Sequence, residues 1–176
     1  ILDLKKSLLI YNKNLPYLLH PPHLTLVHGL FSDKFTLEKK LEEFLLDKKP
    51  FDIFCTNLCS FKDDSQTGLN TVYVSLEPNN YLNNFQKDLL KNINPTKSVF
   101  KPSTISSEEL KKNLKLYNYP FVYPNWIPHF TIASVDKVLE EKILQFNNQT
   151  LELCNKISKI RITAKTTFAA IRIVSI

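Results

Sequence analysis

Pro128-His129-Phe130-Thr131-Ile132-Ala133 is the stretch that decides how this chain is read. With Trp126 and Ile127 in front of it, it has the make-up of a strand, whose side chains alternate between two faces. Phe130 and Ile132 then point into a core, and His129 and Thr131 share the opposite face. Pro128 cannot donate to a ladder, so it belongs at the strand's first position or on an edge. The same phrase occurs earlier as Pro22-His23-Leu24-Thr25-Leu26-Val27, with Leu24 and Leu26 on one face and His23 and Thr25 on the other. Two proline-led His-x-Thr strands in one chain suggest paired chemistry.

The rest of the composition sets bounds on that chemistry. At 176 residues the chain has the size of a single domain with a real core. No run reaches the roughly 20 apolar residues of a membrane span, and no signal peptide is visible. The sequence starts at Ile1 and contains no methionine, as a trimmed chain would. Its net charge of +6 is carried by lysines, with Arg161 and Arg172 the only arginines. That balance suits an anionic partner, RNA or a nucleotide, although most of these lysines read as a solvated surface. Cys55, Cys59 and Cys154 make an odd count, which argues against a disulfide framework and for a reducing, cytoplasmic setting. All three read as small strand or core residues.

Residues 1–13 set Ile1, Leu2, Leu4, Leu8 and Leu9 among lysines, an amphipathic helix. Pro16, Pro21 and Pro22 break it and lead into the first His-x-Thr strand, which Gly29 ends. Thr36 is placed to cap a helix to about Lys48, with Leu37, Leu41, Phe44 and Leu45 inward. Two strands, 51–62 and 71–76, read as a hairpin. A helix over 81–93 follows, and Ser106-Ser107-Glu108-Glu109 has capping-box spacing for a short one to Tyr117. After the second motif, Asp136 caps a helix with Val138, Leu139, Ile143, Leu144 and Phe146 inward. Strands at 151–164 and 167–176 finish the chain.

Laid out so, the halves repeat: helix, extended loop, His-x-Thr strand, helix, strand, strand. Phe51-Asp52-Ile53-Phe54-Cys55 answers Leu151-Glu152-Leu153-Cys154. The expected fold is α+β, a bilobal duplicated unit with lobes of about 1–76 and 77–176. Two antiparallel sheets would face a central cleft, with helices on their outer faces. Two histidines across a cleft can serve as general base and general acid in one step, because an imidazole ordinarily titrates near pH ~6.5. Phosphoryl transfer suits such a pair. One imidazole takes a proton from water or a ribose hydroxyl, and the other protonates the leaving oxygen. Thr25 and Thr131 would hold the non-bridging oxygens. Neither a metal nor a cofactor is needed for this arrangement.

These two tetrads resemble the paired His-x-Ser/Thr motifs of the two-histidine (2H) phosphoesterase superfamily. Trp126-x-Pro128-His129 is similar to the second motif of its 2'-5' RNA ligase-like and cyclic phosphodiesterase branches. The resemblance implies a bilobal α+β fold, His23 and His129 as the acid-base pair, and Thr25 and Thr131 as phosphate ligands. It also implies action on 2',3'-cyclic phosphates or 2'-5' linkages in RNA or nucleotides, by hydrolysis and possible ligation. Hydrolysis of small cyclic dinucleotides and RNA binding without chemistry are the competing functions.

Weaker candidates surround the motifs. Tyr123 and Trp126 could stack on a base, although Trp126 shares the parity of Phe130 and equally suits a core. Lys159, Arg161 and Lys165 alternate along one late strand and could bring positive charge, or only blunt an exposed edge. His28 has core parity, and His20 lies in the proline loop. The chain is expected to act as a monomer, away from membranes.

Overall fold

The computed structural model describes the backbone of residues 1–154, 159–162 and 171–174, and side chains as far as residue 145. Its elements run α1 (Leu2–Tyr11), β1 (Val27–Leu30), α2 (Lys34–Leu45), β2 (Phe51–Phe61), β3 (Asn70–Leu76), α3 (Asn80–Ile93), α4 (Glu108–Tyr117), β4 (His129–Val135), α5 (Lys137–Cys154), β5 (Lys159–Ile162) and β6 (Ile171–Val174). The order helix, strand, helix, strand, strand thus occurs twice, with α4 added before the second motif strand. Among the described residues no helix is long and apolar enough to cross a membrane.

The residues gather into two compact units, each drawn from both halves of the chain. The first contains residues 1–24, 54–77 and 128–160. At its centre is an antiparallel sheet of three strands in the order β4-β3-β2, with β5 beside β2. One face of β3 and β4 is apolar. Val72, Ile132, Ala133 and Val135 on the sheet pack with Leu8 of α1, with Leu139 and Ile143 of α5, and with Leu18 from the loop after α1. Helices α1 and α5 therefore cover the apolar face of this sheet.

Glu140 of α5 is fully buried among these residues. Its carboxylate accepts hydrogen bonds from Ser60, Asn70 and the Lys62 ammonium. Burial by itself raises the Glu140 carboxyl. The three donors and the Lys62 charge outweigh it and bring the group below its ordinary value of 4.5.

The second unit contains residues 25–53, 78–127 and 161–176. Here α2 packs on α3: Leu37, Leu41, Phe44 and Leu45 are buried, as are Leu82, Phe85, Leu89, Leu90 and Ile93. Phe44 meets Phe85 edge to face at 5.2 Å. The expected inner stripe of α2 is as read, but its cap is Asp33 instead of Thr36. The Asp33 carboxylate accepts from the Phe35 and Thr36 amides, one residue position before helical backbone begins.

Other expectations are corrected. β1 pairs with β6 in parallel, where an antiparallel partner was expected. Gly29 lies inside β1 and does not end it; a Cβ there would sit 2.5 Å from Pro95 Cβ, so close backbone approach requires the glycine. Leu151–Cys154 continues α5, so its match to the strand residues 51–55 fails. Helical periodicity carries α5 through a stretch whose apolar residues read locally as a strand. Val138 is 63% exposed, on the solvent side of α5. The side chains of Phe146 and Cys154 lie outside the described residues, as does Lys165.

Two predictions follow the packing. Gly29→Ala forces the Pro95 ring away and should cost about 1–3 kcal/mol in urea unfolding. Glu140→Gln replaces an acceptor with an amide facing donors, and should cost about 2 kcal/mol at pH 7. Because folding holds Glu140 low, its contribution is complete above its ordinary value of 4.5 and is lost as pH falls through the folded-state value. Urea midpoints of the Gln variant should therefore fall less steeply with acid than those of the parent.

Candidate active site

β4 is held against β3 with His129 opposite Ser75, Phe130 opposite Val74 and Thr131 opposite Tyr73. The pleat sends Phe130 and Ile132 into the core, while His129 and Thr131 remain half-buried on the other face. A bulge between Val72 and Tyr73 then shifts the register. Beyond it Ser134, not Ala133, joins the polar face, opposite Thr71, and the two hydroxyls are 2.5 Å apart. Thr71 also donates to Asp64 at 2.6 Å.

Two aromatic rings enclose His129. Phe61 of β2 and Tyr73 of β3 stack with centroids 4.2 Å apart. The imidazole meets Phe61 edge to face at 5.0 Å and Tyr73 at 5.1 Å. They converge because β2 and β3 pair Cys59 with Tyr73 and Phe61 with Thr71, so both rings point to the polar face. Burial pushes the Tyr73 hydroxyl up, so it stays a neutral wall. Apolar walls of this kind strengthen any charge interaction made beside them.

The first motif reaches the same sheet by a single antiparallel bridge, Leu24 to Phe130. Its flanking positions are His23 on one strand and Thr131 on the other. The expected regular strand does not form around His23. Pro21 and Pro22 have no amide hydrogen to pair, and from Val27 onward the chain pairs with β6. His23 is half-buried, and its Nδ1 is 2.9 Å from the Pro21 carbonyl. A carbonyl only accepts, so Nδ1 carries the proton in this contact and the lone pair of a neutral ring lies on Nε2.

A family model for the 2'-5' RNA ligase superfamily matches residues 6–166. The chain belongs to that superfamily, the two-histidine phosphoesterases. No curated protein matches it. The match spans both motifs, all of the central three-stranded sheet and the loop between α1 and His23.

In this 2H phosphoesterase chain, His23, His129 and Thr131 all belong to the first unit, where His23 and Thr131 flank the Leu24–Phe130 bridge. Thr25 opens the second unit, where its carbonyl accepts from the Trp126 indole at 3.2 Å. Trp126 is 6% exposed, so its ring packs in that unit's core. Tyr123 is exposed, and its amide reaches Gln86 at 3.5 Å. Arg161 and Lys159 lie in β5, and their side chains are outside the described residues. His28 meets Phe100 edge to face at 6.0 Å, and His20 packs against Tyr17 at 5.7 Å. Cys55 and Cys59 are half-buried thiols of β2, and burial raises the Cys55 thiol.

Sequence reasoning missed several members of the site and its support. Phe61 and Tyr73 could have been found from the alternation of their strands, had the register of the β2–β3 hairpin been known. Gln86, fully buried, donates to the Leu26 and Phe121 carbonyls, and only tertiary contact reveals it. Lys5, read as a solvent-facing lysine, is 4% exposed, and burial draws its ammonium down to about 8. The geometry at His23 is directly testable. At a pH where imidazoles are neutral, a long-range proton–nitrogen correlation spectrum should show His23 as the Nδ1-protonated tautomer; the Nε2-protonated pattern would contradict the contact with Pro21.

Proposed function

We propose that this chain is a metal-independent phosphodiesterase acting on 2',3'-cyclic phosphates or 2'-5' linkages of RNA or oligonucleotides. The Leu24–Phe130 bridge is the observation that carries the reading, since it brings a histidine of one motif beside the threonine of the other. His23 and His129 exchange protons with the attacking and leaving oxygens, in roles that swap with the direction of reaction. His23 does so through Nε2, because Nδ1 is engaged by Pro21. Thr131 and Thr25 donate to the non-bridging phosphate oxygens and offset the charge that grows on them. Phe61 and Tyr73 keep the His129 ring in place and water away from it. The doubled element order fits descent from a duplicated unit, and the excess of lysine over acid suits an RNA-type substrate.

A substrate panel tests the reading: 2',3'-cyclic nucleotides, 2'-5' and 3'-5' oligonucleotides, each with and without EDTA, products separated by phosphate position. His23→Ala and His129→Ala should each lower kcat by about 10²–10⁴-fold, and Thr131→Val by about 10²-fold, with EDTA having no effect. Full turnover by the double histidine variant, or its loss in EDTA, overturns the mechanism. RNA binding with no turnover across the panel would instead mark a binding module. Cyclic dinucleotide hydrolysis that long RNA fails to inhibit would mark a small-nucleotide enzyme.

A further inference from the structure

Lys5 is a buried ammonium with an unusual set of partners. Its Nζ donates to the carbonyls of Tyr17, Leu18 and His20 at 2.8, 3.3 and 2.9 Å. These lie within one short loop, and an ammonium has three hydrogens to give. The loop is constrained at other points too. The Pro16 carbonyl accepts from the Ser134 amide of β4 at 2.9 Å. Tyr17 has a φ of 65°, a conformation that a non-glycine residue adopts at a cost. Its hydroxyl lies 3.4 Å from Asp64 and 3.3 Å from Gln66 in the β2–β3 loop.

The last anchored carbonyl, that of His20, is followed at once by Pro21, Pro22 and His23. Both proline rings lock φ, and each restricts the residue before it. The two prolines thus form a stiff strut from the Lys5 knot to His23. On its far side the strand is fixed by the Leu24 bridge. We infer that Lys5 is a positioning residue for His23: its ammonium fixes the Tyr17–His20 loop, and the proline strut carries that order to the Pro21 carbonyl that orients the imidazole. Desolvating a lysine is costly, and a methionine would fill the same space without that cost. A purely apolar anchor would leave three carbonyls without this donor and the strut without its fixed end.

The inference rests on the proposed function where it concerns rate, and on the His23 tautomer where it does not. Kinetics on a 2',3'-cyclic nucleotide and imidazole spectra are measured for the parent, Lys5→Met and Ile10→Gly, the last weakening the same helix at a position 90% exposed. Lys5→Met should lower kcat about 10-fold or more with KM within about 2-fold, and turn the single His23 tautomer into a mixture. Ile10→Gly should change neither. Parental kcat and tautomer in Lys5→Met, or an equal loss in Ile10→Gly, overturns the inference. If Lys5→Met does not fold, Pro21→Gly carries the test. It keeps the knot and frees the strut, and parental kcat and tautomer there also overturn it. A tautomer mixture in Lys5→Met, in a protein whose His23→Ala variant keeps full turnover, upholds the positioning and removes the proposed function.

Discussion

Leu24 and Phe130 face each other across one antiparallel bridge, and the arrangement of the candidate site depends on that contact. Each residue is buried, so the bridge is anchored by apolar packing as well as by backbone pairing. Side chains on either side of a bridge point to the opposite face from the bridged pair. Burying Leu24 and Phe130 therefore turns His23 and Thr131 outward together. The apolar residue between His and Thr in each motif is what aims the polar pair.

The first unit supports this contact from both faces of the sheet. Leu8, Leu18, Leu139 and Ile143 hold the apolar side of β3 and β4, while Phe61 and Tyr73 surround His129 on the polar side. Two charged groups are buried among the described residues, and each has three partners. Glu140 sits among three donors and Lys5 among three carbonyls. An ion left unpaired at either place would cost several kcal/mol, roughly the scale of a small domain's whole stability. Such groups persist where they hold a particular geometry.

A phosphoryl-transfer site makes a specific demand: proton donors and acceptors must be placed before the substrate arrives. For the proposed site much of that placement comes from the backbone. The Pro21 carbonyl selects the His23 tautomer, the prolines remove freedom on the approach, and the bulge between Val72 and Tyr73 brings Ser134 onto the polar face beyond Thr131. These devices involve few residues with chemistry of their own, which is why composition says little about them.

The sequence by itself determined the two motifs, their facing, the order of most helices and strands, and the superfamily. Hydrophobic alternation and capping residues are local signals, so Phe130 and Ile132 were legible as core and Asp136 as a cap. The helix start after Ser106 was legible too, although Ser107 and not Ser106 caps it. The tertiary structure alone decided the rest. Which strand lies beside which is a long-range matter, so the parallel pairing of β1 with β6 and the rings around His129 could not be read from neighbours in the chain. The same holds for Gly29, whose need comes from Pro95. Lys5 is the sharpest case. A lysine on an amphipathic helix reads as solvated, and only the folding back of three carbonyls onto its ammonium makes burial tolerable.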